Sequence, residues 1–169
     1  MILITRALSF FLLCSPLLLT GQASDSLAVR QVDSLLQVSR TLIGQRNFSK
    51  ALEINTIAEK IASENMGRMS PAYGNCCFLH GRVSYSTGDY AEAEKWLLDS
   101  KSIRETVLGK DHPDYAASLN SLASLSMEMG NYEKAEWLFL DSKTIREKAL
   151  GKEHPDYAAS LHNLGFLYR

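Results

Sequence analysis

Apolar residues recur every three or four positions from Leu27 onward, which is the spacing of one face of an α-helix. The first stripe contains Val29, Val32, Leu35, Leu36, Val38 and Leu42, and the second contains Phe48, Ala51, Leu52, Ile54, Ile57, Ala58 and Ile61. Short segments at 44–47, 88–89 and 130–131 interrupt the pattern with Gly followed by Asn or Asp, residues that end one helix and cap the next. The pattern predicts an all-α chain of helices joined by tight turns.

The helical pattern also repeats along the chain with an offset of 42 residues. Residues 88–127 and 130–169 are identical at 24 of 40 aligned positions, and the octapeptide at 112–119 returns unchanged at 154–161. Repeats of this length are typical of stacked units, each of which buries its apolar face against its neighbour.

The earlier part of the chain has diverged but keeps the register, because Ala51, Ala93 and Ala135 are each 42 residues apart. Ser39 and Arg46 there replace the small residue and the Gly of the later units. The predicted array covers residues 24–169, with helical hairpins over about 26–66, 70–109 and 112–151 and a partial fourth over 154–169.

These motifs resemble the tetratricopeptide repeat (TPR) family, in the long-repeat form of kinesin light chains and of arrays in bacterial signalling proteins. The matching residues are the small Gly81, Ala123 and Gly165, the turn residues Gly88 and Gly130, and the pairs Tyr90/Ala93 and Tyr132/Ala135. The tract Leu-Gly-Lys-(Asp/Glu)-His-Pro-Asp-Tyr-Ala carries the resemblance to the long-repeat form. The resemblance implies an α-solenoid of antiparallel hairpins wound into a right-handed superhelix.

In the resembling family the first helix of each hairpin lines a concave groove that binds peptides. By register, the groove positions are Asn75, Phe78, Leu79, Arg82 and Tyr85, then Asn120, Ser121, Ser124, Met127 and Glu128, and finally His162, Asn163, Phe166 and Arg169. The two near-identical tracts disagree here, as in Ser124 against Phe166. Such divergence fits a graded binding surface, and it equally fits exposed positions that tolerate change.

The N-terminus differs from the rest of the chain. Residues 1–23 contain one basic residue, Arg6, then an apolar run over 7–19 and small residues at 21 and 23, the layout of a secretory signal peptide. We therefore expect export to the periplasm or the cell exterior. The alternative is an uncleaved membrane anchor, although the run is shorter than the roughly 20 residues that span a bilayer.

Composition and charge narrow the function further. The formal net charge is −1 and the basic residues form no run, so nucleic acid is not an expected partner. The adjacent Cys76 and Cys77 suit neither a mutual disulfide nor a zinc site, and we expect them to be buried. The predictions therefore include no cofactor and no metal.

The sequence contains no catalytic motif, and we expect no enzymatic activity. His112 and His154 recur with the repeat and precede Pro, which indicates a turn or capping role, and His80 lies on an apolar stripe, as a core histidine would. A further set of charged residues is expected at the surface, in solvated or inter-repeat ion pairs, namely Arg104, Glu105, Arg146 and Glu147 with Lys101 and Lys143.

Three functional hypotheses remain from the sequence. The first is an exported scaffold that binds a protein or peptide in its groove. The second is a regulatory or oligomerisation segment of a larger signalling protein, with a CHAT peptidase or sensor kinase downstream. The third is a structural array that self-associates through the apolar residues near Arg169, where the fourth unit is incomplete and a longer array is expected.

Overall fold

The computed structural model describes the backbone of residues 16–169 and the side chains of residues 27–169. Its helices are α1 (Pro16–Gly44), α2 (Phe48–Asn65), α3 (Pro71–Thr87), α4 (Tyr90–Leu108), α5 (Pro113–Glu128), α6 (Tyr132–Leu150) and α7 (Pro155–Leu167). Within this described part there is no strand, so the predicted all-α class is confirmed.

Consecutive helices form three hairpins, α1–α2, α3–α4 and α5–α6, and α7 packs on the last of them. The backbones of the odd-numbered helices also approach one another along the array, whereas those of the described even-numbered helices stay apart, and α4 and α6 are joined by the ion pair of Glu94 and Lys134. The odd helices therefore form the inner, concave surface, and the even helices form the outer surface.

The turns between helices are formed by the Gly, Asn and Asp residues that the sequence pattern predicted. Asn47, Asp89 and Asn131 cap the outer helices, each accepting a hydrogen bond from a backbone N–H three residues later. Before α4 and α6, Gly88 and Gly130 adopt left-handed conformations, with φ of 84° and 78°.

The divergent first unit uses the same turn without glycine. Arg46 adopts φ 60° at the corresponding position, a conformation that is uncommon for a residue with a Cβ atom. Ser39, at the small-residue position, is fully buried, and its hydroxyl donates to the Ala51 carbonyl 3.0 Å away. The packing of this unit is therefore preserved although its sequence is not.

The apolar core is distributed between neighbouring helices. One buried cluster joins α1, α2, α3 and the end of α4, and a second joins α4 to α7. Phe78 packs against both clusters and links them. Of the predicted stripes, Val29, Val38, Leu52 and Ile57 are wrong as core positions, since each is at least 40% exposed.

The predicted signal peptide falls largely outside the described residues, which begin with the backbone of Pro16 in α1. Its cleavage therefore remains a prediction. Among the described helices, none combines the length and the apolar content that a bilayer span requires.

Candidate functional site: the concave surface

The predicted groove residues all lie on the inner helices α3, α5 and α7, or directly after α7. Exposure varies among them. Arg82, His162 and Phe166 are exposed, while Asn75, Phe78, Ser121 and Ser124 are half-buried. Leu79 is wrong as a groove residue because its side chain is fully buried between α3 and its neighbours.

A cavity of about 200 Å³ lies between α3 and α5 on this surface. Its lining consists of Arg82, Tyr85, Ser86, Leu97, Ser121 and Ser124. Four of these residues are among the predicted groove positions. The structure therefore brings a guanidinium, a phenol and three serines from two repeats together around one small opening.

The polar groups of this cavity differ in how they are satisfied within the chain. The Tyr85 hydroxyl lies 3.4 Å from Oε1 of Glu128, and burial together with this carboxylate raises the pKa of Tyr85 to about 12. Ser124 donates back to the Asn120 carbonyl. Arg82 forms no ion pair with a described carboxylate. Partial burial of the guanidinium and the positive charge of Arg40 both lower the pKa of Arg82. An anion beside Arg82 would therefore stabilise its charged form.

Arg40 is a groove residue that the sequence analysis missed. It is exposed on α1, an inner helix, and precedes Arg82 by 42 residues. The signal was present in the sequence, since the repeat register extended back by one unit pairs the two arginines.

The predicted residues of α5 and α7 meet in a second polar region. Nδ2 of Asn163 donates to Oδ1 of Asn120 at 2.9 Å, and this bond joins two repeats across the groove. Farther along, Met127 and Phe166 line a wide cleft of about 590 Å³, and His162 lies at a neighbouring depression beside Phe166.

At the opposite end of the groove, Asn75 borders an apolar cavity of about 370 Å³ between α1 and α3. Its walls include Val29, Met66, Pro71 and Ala72. Oδ1 of Asn75 already accepts a hydrogen bond of 2.7 Å from Arg104, which uses one of its two lone pairs.

The expectation that Arg104 and Arg146 are solvated surface residues is wrong. They are only 2% and 7% exposed, because each reaches inward from an outer helix to the start of the next inner helix. Arg104 donates to the Asp114 carbonyl and to Ser118, and Arg146 donates likewise to the Asp156 carbonyl and to Ser160. Burial lowers the pKa of Arg104 to about 10, which still leaves it charged at neutral pH.

Three of the histidines and the two described cysteines behave as structural residues. Nδ1 of His112 and of His154 accepts from the backbone N–H two residues later, which confirms their capping role. His80 is buried, with Nε2 lying 3.0 Å from Oε2 of Glu59 and its ring stacked on Trp96.

Cys76 and Cys77 are fully buried free thiols, and burial raises the pKa of each to about 12. Such a pKa keeps the thiols protonated and unreactive near neutral pH. The described side chains also contain no group of three or more His, Cys, Asp or Glu residues placed to hold a metal ion.

Comparison with known proteins decides the family. The family model described as tetratricopeptide repeat matches residues 75–136 and 116–169, which together are more than half of the chain. The chain belongs to the tetratricopeptide repeat family. The TPR residues matched include the cavity around Arg82 and both buried arginines. No curated protein matches the chain by sequence.

Several solved structures are similar to this chain over most of its length. BtubC (BKLC) from P. vanneervenii superposes with a TM-score of 0.70 at 19% identity, covering 81% of this chain and 55% of that one. A Podosopora anserina protein, described as a kinesin light chain with nearly identical TPR-like repeats, gives 0.71 at 24% identity, covering 82% and 65%. A variant of it gives 0.70 at 25% identity with the same coverage. The chain thus spans between half and two thirds of these structures, and the predicted TPR fold and kinesin-light-chain-like resemblance are confirmed.

Proposed function

We propose that this TPR array is an exported scaffold that binds an acidic peptide segment of a partner protein in its concave groove. The observation that carries the proposal is the cavity between α3 and α5, where Arg82 faces Tyr85, Ser121 and Ser124 without a carboxylate partner among the described residues. Protein binding is the general role of TPR scaffolds, and the acidic character of the ligand is the specific addition.

Charge supports an anionic ligand. Arg40 and Arg82 lie at equivalent positions of two consecutive inner helices, close enough for one charge to depress the pKa of the other. The chain has a formal net charge of −1, so these arginines form a local cationic region on a nearly neutral protein. A carboxylate placed between them would be attracted by both, and this attraction would weaken as salt increases.

The test is a random 12-residue peptide library panned on the chain, followed by titration of the enriched peptides. We expect enrichment of Asp and Glu, and we expect Arg82→Ala to weaken binding about tenfold or more, since a charge-assisted hydrogen bond contributes roughly 1.5–3 kcal/mol. The matched control is Lys60→Ala, which removes one positive charge from an exposed position on the outer helix α2. Equal affinity for wild type and Arg82→Ala would reject the site, and so would equal weakening by Lys60→Ala.

A second candidate, self-association, is favoured by the outer flank of α7. Ala116, Leu119 and Ala123 of α5 are buried in the core that α5 shares with α6. Their counterparts on α7, the residues 42 positions later, are exposed, and Leu161 among them is 47% exposed. We propose that a second copy covers this flank. Light scattering tests it, with dimer expected for wild type and monomer for Leu161→Glu; a wild-type monomer at high concentration would reject it.

A further inference from the structure

The two buried arginines share most of their contacts. Nη1 of Arg104 donates to the Asp114 carbonyl and to the Ser118 hydroxyl, both at 2.8 Å. Nη1 of Arg146 donates to the Asp156 carbonyl at 3.2 Å and to the Ser160 hydroxyl at 2.9 Å. In both residues Nε is enclosed without a hydrogen-bond partner. Each guanidinium is therefore anchored by one edge to the next inner helix.

The arginines differ at Nη2. In Arg104 this nitrogen donates to Oδ1 of Asn75 on the inner helix α3, at 2.7 Å. The residue that replaces Asn75 one repeat later is Ala117, which has no acceptor in its side chain. Nη2 of Arg146 accordingly makes no hydrogen bond within the described residues, and it is not among the enclosed atoms. The Arg146 side chain is more than nine-tenths buried, and its Nη2 remains accessible to a ligand atom.

No carboxylate among the described side chains accepts a hydrogen bond from Nη2 of Arg146. Arg146 contacts Asp156 through the main-chain carbonyl, and no ion pair joins Arg146 to a described acid. The charge of Asp156 raises the pKa of Arg146, but burial outweighs it and the pKa is lowered. Because Nη2 is not enclosed, it can donate a hydrogen bond to an oxygen supplied from outside the chain.

We propose that the space beside Ala117, on the concave face between α5 and α7, is a subsite for a carboxylate or amide oxygen of a bound ligand, which accepts a hydrogen bond from Nη2 of Arg146. Asn75 shows the same contact made internally at Arg104. The Asn120–Asn163 pair lies on the same two helices, with Asn120 one turn after Ala117. The inference rests on the proposed function in placing the ligand in this groove.

The test uses small probes first, so that it does not depend on finding a peptide. The chain is labelled with ¹⁵N-arginine, the signals of Arg146 are assigned with Arg146→Lys, and acetate or acetamide is titrated to high millimolar concentration. We expect the side-chain signals of Arg146 to shift, while those of Arg104, already satisfied by Asn75, stay unchanged. A response to acetate alone would identify a carboxylate ligand, and a response to both would identify any carbonyl-type oxygen.

The decisive variant is Ala117→Asn, which recreates the acceptor of the preceding repeat. We expect it to abolish the response of Arg146 and to raise Tm by a few degrees, as one added hydrogen bond to a charged group would in a domain of this size. The matched control is Ala159→Asn, the same change one repeat later, at an exposed position of α7 for which the described chain contains no corresponding arginine. It should leave the response at the wild-type level.

Three results would overturn the proposal. They are an Arg146 signal that does not respond in the wild type, equal responses of Arg104 and Arg146, and an undiminished response in Ala117→Asn. If library peptides bind, Ala117→Asn should also weaken the enriched peptides about tenfold, whereas Ala159→Asn should not. If no peptide binds, the proposed function fails while the acetate and acetamide titrations still decide the subsite.

Discussion

The junction of α3–α4 with α5 and the junction of α5–α6 with α7 are two copies of one packing scheme with different inner surfaces. In both, a buried arginine on the outer helix bonds a carbonyl and a serine at the start of the next inner helix. On the concave side, however, Asn75, Phe78 and Arg82 of the first junction are replaced by Ala117, Asn120 and Ser124 in the second.

The buried arginine makes the same contacts with the next inner helix in both repeats, but its remaining nitrogen, Nη2, has an acceptor in only one of them. Arg104 is enclosed by its surroundings, with Asn75 on Nη2 and the Phe78 ring centroid 4.3 Å from the guanidinium carbon. Arg146 lacks both neighbours, and its Nη2 is neither hydrogen-bonded to a described residue nor enclosed. Small changes on the inner helices therefore change what the packing residues offer to a ligand, while the fold is unaffected.

The largest expected difference between the junctions is in how much each arginine contributes to the free energy of unfolding. Arg104→Ala should lower the free energy of unfolding by about 3 kcal/mol, because three hydrogen bonds and the contact with Phe78 are lost. Arg146→Ala should cost about 2 kcal/mol, since it loses two hydrogen bonds. Urea denaturation measures both. Equal losses would show that Asn75 and Phe78 do not contribute, and would break the comparison.

A second prediction concerns the small residue of the inner helices. A Cβ atom on Gly81 would lie 2.6 Å from Cγ and 3.2 Å from the backbone nitrogen of Leu97, so Gly81→Ala should destabilise by about 2 kcal/mol. Gly165, at the same position of α7, has nothing within 4 Å, and Gly165→Ala should stabilise by about 0.5 kcal/mol through helix propensity. Thermal unfolding of the two variants should give shifts of opposite sign, and two shifts of the same sign would contradict the close approach of α3 and α4.

A third prediction concerns pH, because His80 of α3 is replaced by Leu122 in α5. Burial lowers the pKa of His80, and Glu59 and Glu92 oppose this without reversing it. The folded protein then binds fewer protons than the unfolded chain, whose histidine titrates near 6.5, so stability should fall as pH decreases from about 7.5 to 5.5. His80→Leu should flatten the dependence in that window, as measured by urea denaturation at each pH. An unchanged slope in the variant would assign the effect to other groups.

The smallest expected effect is at the surface of the third hairpin. Nζ of Lys148 lies 2.9 Å from Oδ1 of Asp111, but the two side chains are 70% and 79% exposed. The second hairpin has Thr106 and Met69 at the same positions and no such pair. Lys148→Ala should change the free energy of unfolding by no more than about 0.5 kcal/mol, and less in high salt. A loss above 1 kcal/mol would mean that surface charge, and not the buried contacts, distinguishes the hairpins.

Repetition made much of the structure predictable. The 42-residue register located the hairpins, the Asn and Asp caps, the left-handed Gly turns and the capping role of His112 and His154, because these features depend on residues adjacent in sequence. The same register placed Arg82, Tyr85, Ser121 and Ser124 on inner helices, although whether they bind a ligand is still a prediction. It would also have found Arg40 had it been extended to the surface of the first unit.

The sequence by itself indicated the helices from α2 onward, their turns and their stacking, since periodicity and turn chemistry are local properties and the 42-residue repeat carries them from unit to unit. Only the tertiary structure decided that Leu79 is enclosed, that Arg104 and Arg146 point inward, and that Nη2 of Arg146 has no acceptor among the described residues. A long side chain on one helix is satisfied by groups on two others, and those groups lie from 10 to 29 residues away. Such partners are brought together by packing, and no local pattern in the chain records them.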